Sequence, residues 1–311
     1  RPNPNVYISY LHPFSSLPNT IYNYTTFFIS QQAVVHLVIV YNKSMYICID
    51  IGGTKTIIAL LDRTGKLLHS VRFATIYNQT DFYENLLQQI KINFVMSGVK
   101  AISVAMPGPV KNNRALWLGN LPWHDFDIAK QLKTDFKLPV FVENDANLAA
   151  LAEARLCAGR SLYLTFSTGI GGGVVENHQL LSRYASLEPG HTEYTYNGKT
   201  AEWEDIASAH TIRDKYGRNV DEITDPAAWQ DIVERMLLGL IPLTISVKPA
   251  RIIFGGPLGL ALDTYRTALR KKLKQSLPSR IAMPRLVTAK YGNLSVIYGC
   301  YYYAKACQSR H

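Results

Sequence analysis

Met45-Tyr46-Ile47-Cys48-Ile49-Asp50-Ile51-Gly52-Gly53-Thr54-Lys55 is an apolar strand that runs into an acid and two glycines. Glycines permit a tight turn and let a phosphate approach backbone N–H groups closely. The Thr54 hydroxyl adds a donor, and Asp50 can hold hydrated Mg²⁺ through water. We therefore predict that Asp50, Gly52, Gly53, Thr54 and Lys55 form a phosphate-binding turn. The same pattern also fits a simple hairpin turn without a ligand.

The same arrangement returns further along the chain. Residues 161–166 are apolar and predict a strand, and Ser167-Thr168-Gly169-Ile170-Gly171-Gly172-Gly173 predicts a second glycine turn. A third glycine site, Gly255-Gly256, follows the apolar run 251–254. We predict a split ATP site in which Thr168, Gly169 and Gly171 bind phosphate and Gly255-Gly256 lets the adenosine approach. Taken alone, Gly255-Gly256 fits an ordinary strand-to-helix turn.

Other nucleotide sites are excluded by their motifs. The chain has no Gly-x-x-x-x-Gly-Lys-Ser/Thr, so it is not a P-loop enzyme. It also lacks Gly-x-Gly-x-x-Gly between a strand and a helix, which argues against a dinucleotide-binding fold.

Composition places the chain among globular proteins. It has 311 residues, 47% of them hydrophobic and 18% charged, with a formal net charge of +10. The basic residues are spread along the chain, which suits an anionic nucleotide substrate and favours neither nucleic acid nor a membrane as a partner. No apolar run approaches the ~20 residues of a membrane helix. The four cysteines are scattered, which is typical of a reducing cytoplasm, and we expect a cytoplasmic protein.

Strands alternate with helices from Met45 onward, and this pattern predicts an α/β protein. We expect an N-terminal α/β domain over residues 45–158 and a C-terminal α/β domain over residues 159–293. Residues 1–44 contain no acidic residue and are rich in Tyr, Asn, Ser and Pro. We interpret them as a disordered or non-native extension, with Met45 as the natural start.

Asp145 is the candidate general base. It follows a predicted strand and is flanked by Asn144 and Asn147, whose amides can orient a carboxylate by hydrogen bonds. Transfer of a phosphoryl group requires a carboxylate that takes the proton of the acceptor hydroxyl. An equally good interpretation from these residues alone is that Asn144-Asp145 caps the alanine-rich helix that follows.

Four motifs in a fixed order resemble the ROK family of sugar kinases. They are Asp50-Ile51-Gly52-Gly53-Thr54-Lys55, Glu143-Asn144-Asp145-Ala146-Asn147, Ser167-Thr168-Gly169-Ile170-Gly171-Gly172-Gly173 and Glu188-Pro189-Gly190-His191-Thr192. The resemblance covers most of the chain, from Met45 to Cys307. It implies the two-domain actin/hexokinase-like (ribonuclease H-like) ATPase fold with an interdomain cleft. It also implies that a C-terminal helix, residues 294–308, packs back on the first domain.

The resemblance implies an activity as well. A kinase of this family uses ATP and Mg²⁺ to phosphorylate a hydroxyl of a hexose or N-acetylhexosamine, and we expect the C6 hydroxyl. The family pattern favours Asp145 as the general base, and it is compatible with a homodimer. The expected sugar ligands are Gly108, Asn120, Asn144, Glu188, His191 and Glu204, while Trp123 fits either sugar contact or packing. Glu204 is aligned with some register uncertainty, because Glu202 lies two residues before it.

The chain departs from the family at one place. Most ROK proteins follow the histidine with a cysteine cluster that binds structural zinc, but residues 194–205 contain no cysteine and form a shorter loop. One histidine without thiolate partners cannot complete a tetrahedral site. We therefore predict that zinc is absent.

Two other functions compete with the kinase. The first is a sugar-binding sensor that has lost catalysis, for which the altered loop argues and the retained Asp145 argues against. The second is a ROK transcriptional regulator, which would need a helix-turn-helix segment that residues 1–44 do not provide. The motifs do not rank the candidate sugars.

Overall fold

The structure, a computed structural model, describes residues 44–119, 121–155 and 158–309. The predicted extension over residues 1–44 therefore lies outside the described residues, apart from Ser44. The predicted sugar ligand Asn120 also lies outside them. No helix within the three described ranges is long and apolar enough to span a membrane.

The first half of the chain is built on a five-stranded sheet with the strand order β3-β2-β1-β4-β7. The strands are β1 (Met45–Ile51), β2 (Lys55–Asp62), β3 (Leu67–Ala74), β4 (Val99–Met106) and β7 (Val140–Asn144). A small hairpin, β5 (Val110–Lys111) and β6 (Arg114–Ala115), lies between the last two strands in the sequence. Helices α1 (Gln79–Asn93) and α2 (Ile128–Phe136) complete this half.

The second half repeats this plan with the strand order β10-β9-β8-β13-β14. The strands are β8 (Ser161–Phe166), β9 (Ile170–Glu176), β10 (Gln179–Leu180), β13 (Arg251–Gly255) and β14 (Arg285–Thr288), with a separate hairpin of β11 (Glu193–Tyr196) and β12 (Lys199–Glu202). The helices are α4 (Trp203–Ala207), α5 (Ala209–Tyr216), α6 (Pro226–Val247), α7 (Gly256–Leu260) and α8 (Leu262–Ser276).

Both sheets combine the same pairings. β1 is antiparallel to β2 and parallel to β4, and β8 is likewise antiparallel to β9 and parallel to β13. Parallel strands place their carboxyl ends at one edge of a sheet, where α/β proteins bind ligands. The predicted α/β architecture with two similar halves is therefore confirmed.

Two helices connect the halves. Helix α3 (Asp145–Ala154) follows β7 of the first sheet but packs on β8 and β9 of the second. Helix α9 (Ser295–Gln308) follows β14 and packs on α3, β1 and β4. A Cβ on Gly299 of α9 would overlap the carbonyl oxygen of Leu148, so glycine is what allows the two helices to approach so closely.

Each sheet is covered on two faces by apolar side chains. Phe82 and Leu86 of α1 pack with Ile47 and Ile49 of β1 in the first core. On the other face of that sheet, Cys48 meets Cys300 and Tyr301 of α9. Burial of continuous apolar strands between two helical layers is the expected source of stability for such an α/β unit.

The second glycine turn differs from its prediction. The turn is confined to Ser167–Gly169, where Ser167 N–H donates to the Gly169 carbonyl at 2.9 Å, and β9 already begins at Ile170. Gly171 and Gly173 lie inside β9, where added Cβ atoms would press on Ala146 and Ala150 of α3. These two glycines therefore allow a helix to pack closely on a strand, which local sequence does not distinguish from a turn.

Candidate active site

Three carboxylates lie at the point where the strands of the two halves end. Asp50 is near the end of β1, Asp145 is the first residue of α3, and Glu188 directly precedes a short 3₁₀ turn, Pro189–His191. Burial and, to a lesser extent, the charge of Asp145 raise the pKa of Asp50 to about 7, against the opposing effect of Lys55. Burial and the charge of Asp145 likewise raise the pKa of Glu188 to about 7. The charge of Asp145 therefore acts on both of the other carboxylates.

Asp145 has the properties of a base rather than of a salt-bridge partner. Burial raises its pKa to about 6, and a hydrogen bond from the Ala146 N–H, at 2.7 Å to Oδ1, opposes the rise. No described cation forms a salt bridge with it. A carboxylate with a pKa near 6 is ionised at neutral pH and accepts a proton more readily than an ordinary aspartate.

The amides around Asp145 do not orient it, contrary to the sequence prediction. Asn147 Nδ2 donates to Glu143 Oε1 at 3.0 Å and to the Ala185 carbonyl at 2.9 Å. Asn144 Oδ1 caps α3 by accepting the Asn147 N–H at 2.9 Å. The capping interpretation is thus correct for Asn144, and Asp145 is held instead by its position at the helix N-terminus, where a negative charge is favoured.

The Asn144 amide also reaches the region predicted to contact sugar. Its Nδ2 donates to the Gly108 carbonyl at 3.0 Å and lies 3.5 Å from Glu188 Oε1. Gly108 has φ +81°, and an added Cβ would overlap the backbone of Trp117, so this position requires glycine. The structure therefore brings together Gly108, Asn144 and Glu188.

Glu204 joins the predicted sugar region to the second glycine turn. Its Oε2 accepts the Ile170 N–H at 3.2 Å, and Cβ atoms on Gly169 or Gly190 would overlap the same oxygen. Glu204 is only partly exposed. Its carboxylate is thus fixed between two loops that meet through glycine.

A hairpin holds His191 beside Glu202. The Asn197-Gly198 turn, with φ of +51° and +77°, joins β11 to β12 and pairs Glu193 with Glu202. Both central residues of a two-residue hairpin loop take positive φ, which Asn-Gly favours. His191 Nδ1 lies 2.8 Å from Glu202 Oε2, and this hydrogen bond is the main reason why the pKa of His191 is raised.

The two tryptophans near this region have different roles. Trp117 of the first half is half-exposed and makes an edge contact with His191 of the second half, with ring centroids 5.2 Å apart. Trp123 is buried, stacks near Phe82 and donates its Nε1–H to the Tyr77 carbonyl at 2.8 Å. Of the two interpretations left open for Trp123, packing is therefore the correct one.

The first glycine turn connects β1 to β2. The Gly52 N–H donates to the Lys55 carbonyl at 3.0 Å, and Thr75 Oγ1 donates to the Gly52 carbonyl at 2.7 Å. Neither Gly52 nor Gly53 has a left-handed φ, so this turn forms without the positive φ that glycine permits. A Cβ on Gly53 would meet no atom within 4 Å, and the side chains of Thr54 and Lys55 are also exposed. The turn is therefore open to an approaching ligand.

A pocket of about 320 Å³ brings the other two glycine sites together. Gly256 has φ +70°, and an added Cβ would overlap the backbone of Phe166 at the end of β8. The polar residues that line the pocket are Ser167, Thr168, His210, Arg213, Asn219 and Asp221, with Pro257 beside Gly256. Its position next to the Ser167–Gly169 turn and its donors and acceptors fit a nucleotide.

The residues where the family would hold zinc do not form a thiolate site. The sequence has no cysteine between Cys157 and Cys300. Ligand atoms of His191, Glu202 and Glu204 lie within 4.8 Å of one another, which is an oxygen and nitrogen donor set. Such a set differs from the cysteine-rich structural zinc site. The absence of zinc stays a prediction.

Sequence reasoning missed the contacts that depend on folding. The hydrogen bond of Glu202 to His191 follows from the Asn197-Gly198 turn, which is a recognisable hairpin signal and could have been used. The pocket residues His210, Arg213 and Asn219 carry no local motif. Trp117 also had no signal, because its contact with His191 crosses between the two halves.

Similar proteins were found by comparing both sequence and structure. A fructokinase from Zymomonas mobilis is 29% identical over 249 residues, which cover 69% of this chain and 80% of that protein. A xylose repressor from Bacillus spizizenii is 26% identical over 266 residues, which cover 78% of this chain and 68% of that protein. The crystal structure of a ROK hexokinase from Thermus thermophilus matches with a TM-score of 0.70 and 28% identity, covering 85% of this chain and 99% of that one.

Two matched α/β halves with carboxylates at their strand ends define a class, that of the actin/hexokinase-like ATPase fold, as predicted. Within that class, the family model described as the ROK family matches residues 46–307. The chain belongs to the ROK family, and the predicted family resemblance is confirmed.

Proposed function

We propose that this protein is an ATP-dependent sugar kinase that transfers the γ-phosphoryl group to a hydroxyl, expected at C6, of a hexose or N-acetylhexosamine. The observation that supports it most is the position of Asp145, whose raised pKa of about 6 and place at the N-terminus of α3 suit a general base. Asn144, a proposed sugar ligand, directly precedes Asp145, and the charge of Asp145 acts on Glu188 and on Asp50 at the first glycine turn. Relatives named fructokinase and hexokinase support the same reaction.

In this proposal the sugar binds among side chains of opposite halves. Glu188 and Glu204 accept hydrogen bonds from sugar hydroxyls, while Asn144 Nδ2 and the free ring nitrogen of His191 complete the set. Asn120 is proposed as a further ligand by family resemblance. Asp145 takes the proton of the attacking hydroxyl and becomes a neutral carboxylic acid. The hydroxyl oxygen forms a bond to the γ-phosphorus as the bond from that phosphorus to the β,γ-bridging oxygen breaks, and ADP leaves with this oxygen.

ATP is proposed to lie between the glycine turns. Gly52, Gly53, Thr54 and Lys55 face its phosphates from the first half, and Thr168 and Gly169 face them from the second. The adenosine would occupy the 320 Å³ pocket beside Gly255 and Gly256. Asp50 is the carboxylate that would hold the water shell of Mg²⁺, and the ion would supply positive charge that offsets the charge of the phosphates.

The test measures ADP release with Mg-ATP and a panel of sugars: fructose, glucose, mannose, N-acetylglucosamine and N-acetylmannosamine. We expect one of them to stimulate ADP release, and Asp145→Asn to reduce the sugar-stimulated kcat by about 10²- to 10⁴-fold while sugar still binds. Asp263→Asn, on the exposed surface of α8, is the matched control and should retain full activity. Full activity of Asp145→Asn would reject Asp145 as the base.

A second candidate is a sugar-binding regulator without turnover. The xylose repressor similarity, over 78% of this chain, favours this alternative specifically. It would be supported if one sugar of the panel bound in calorimetry with no sugar-dependent ADP release. In that case the kinase proposal fails.

A further inference from the structure

A cleft of about 890 Å³ lies in the first half, between α2 and the β5–β6 hairpin. Its floor is the entry to β7, where Pro139 and Phe141 line it. Its lining residues do not include Asp50, Asp145 or Glu188, and none of them lines the 320 Å³ pocket proposed for the nucleotide. It is therefore a separate site that the proposed kinase reaction does not use.

One wall of the cleft carries a row of lysines. Lys130 and Lys133 are three residues apart on one face of α2, and Lys137 is the left-handed C-cap that directly follows the helix; all three line the cleft. All three side chains are exposed. Within the described part of the chain, none of them forms a salt bridge.

The opposite wall adds a guanidinium group and few negative charges. Arg114 of β6 lines the cleft, and among the described residues it forms an ion pair only with the exposed Asp125, at 3.4 Å. The one acid in the lining is Asp127, and its Oδ1 already accepts the Lys130 backbone N–H as the N-cap of α2. Four cations therefore face the cleft against one engaged carboxylate.

Helix electrostatics alone do not account for this arrangement. Positive charge near a helix C-terminus is favourable, which covers Lys133 and Lys137, but Lys130 lies in the first turn, where a cation is disfavoured. Arg114 belongs to a different element altogether. What the four basic residues have in common is therefore that they line the cleft, and not that they belong to one helix.

The hairpin wall is held in place by a clamp on the edge strand. Asn113 Nδ2 donates to the Val140 carbonyl at 2.9 Å, and its Oδ1 accepts the Val142 N–H at 2.5 Å. These bonds attach the β5–β6 hairpin to β7, so the position of Arg114 across from α2 is fixed. A cleft with two fixed cationic walls is suited to a ligand that spans them.

We propose that this cleft binds a small anion that carries two or more phosphoryl groups. Ammonium and guanidinium groups recognise phosphate oxygens through charge-assisted hydrogen bonds. Cations line both sides of the cleft, on α2 and at Arg114, so a ligand with two phosphoryl groups offers anionic oxygens to each side. The proposal does not depend on the kinase reaction.

The test is calorimetric titration of the full chain with pyrophosphate, in magnesium-free buffer at low salt. Lys130→Gln/Lys133→Gln should raise the Kd for pyrophosphate by about tenfold, because two charge-assisted contacts are lost. Lys130→Arg/Lys133→Arg should retain binding. Lys271→Gln/Lys274→Gln on α8 removes the same charge at the same spacing elsewhere and should leave the Kd unchanged.

Three outcomes would overturn the site. They are no binding of pyrophosphate to the wild-type chain, an unchanged Kd in Lys130→Gln/Lys133→Gln, and equal weakening in the α8 control. The melting temperature of each variant is measured as well and should equal that of the wild-type chain, which would show that all the compared proteins are folded. Because no sugar or ATP is present, failure here would leave the proposed kinase function untouched.

Discussion

At the scale of single residues, the charge state of Asp145 has a measurable consequence. A general base works only when ionised, and burial raises the pKa of Asp145 to about 6. The sugar-dependent kcat/KM should therefore fall as the pH drops through this value, by about tenfold between pH 7.5 and pH 5. An ordinary aspartate, with a pKa of about 3.9, would leave the rate nearly unchanged at pH 5.

The measurement is the pH profile of kcat/KM with the sugar that stimulates ADP release. Enzyme held at pH 5 and returned to pH 7.5 should recover full activity, which excludes acid denaturation as the cause. A flat profile between pH 5 and pH 8 would contradict the assignment.

A second residue-scale prediction concerns Glu202, which we interpret as positioning His191. In Glu202→Gln, the pKa of His191 should fall toward its ordinary value, because the hydrogen bond at Nδ1 is the main cause of its rise. The KM for sugar should rise by about three- to tenfold, the effect of about 1 kcal/mol, while the KM for ATP stays constant.

Two-dimensional NMR of the imidazole resonances checks the titration, and steady-state kinetics checks the two KM values. Glu193→Gln is the matched control, because Glu193 pairs with Glu202 across the hairpin but is exposed. An unchanged His191 titration in Glu202→Gln would remove the positioning role.

At the scale of elements, the sequence predicted most strands and helices but not where they touch. β1, β8 and β13 were evident from their apolar runs, since a strand buried on both faces is apolar throughout. The helix after Asn144 begins at Asp145, because the Asn144 side chain caps it. The glycines at 171 and 173 were assigned to a turn, since their actual neighbours, Ala146 and Ala150, come from another element.

Gly299 gives a test of helix contact in which two effects oppose each other. Replacing glycine by alanine inside an exposed helix stabilises it by about 1 kcal/mol. At Gly299, however, the new Cβ would overlap the Leu148 carbonyl of α3, closer than the 3.0 Å that Cβ atoms keep. Gly299→Ala should therefore lower the free energy of unfolding by about 1–3 kcal/mol.

Urea denaturation followed by circular dichroism gives this free energy. Gly53→Ala, where the added Cβ meets no atom within 4 Å, is the control for stability and should change it little. A gain in stability for Gly299→Ala would mean that α3 and α9 are not in close contact.

At the scale of the whole molecule, the repeated strand–turn–strand pattern was sufficient to predict two similar halves. The sequence did not predict how Asp50, Asp145 and Glu188 are arranged in space, because these residues come from three separate elements. Asp145 was chosen from its motif, whereas its raised pKa depends on burial that only the assembled halves create. The exchange of α3 and α9 between the sheets is likewise a property of the chain path rather than of local sequence.

Glu153 of α3 connects the halves at the end of the helix opposite Asp145. It is 3% exposed and accepts three hydrogen bonds from the segment between β14 and α9. The donors are the Lys290 N–H at 2.7 Å, the Tyr291 N–H at 2.9 Å and the Ser295 hydroxyl at 2.6 Å. Glu153→Ala would remove the acceptor of the two backbone N–H groups, while the Ser295 hydroxyl can still donate to the Gly292 carbonyl at 2.8 Å, and it should lower the free energy of unfolding by about 3–5 kcal/mol.

Glu153→Gln should cost less, about 1–2 kcal/mol, because its amide oxygen still accepts one or two of the bonds. Glu84→Ala on the exposed face of α1 is the control and should leave the unfolding curve unchanged within error. Asp145 and Glu153 lie on one helix, about 12 Å apart along its axis. A loosened anchor at Glu153 should therefore also lower the kcat of Glu153→Gln. If kcat and stability both matched those of the control, α3 would not be held in place by the second half.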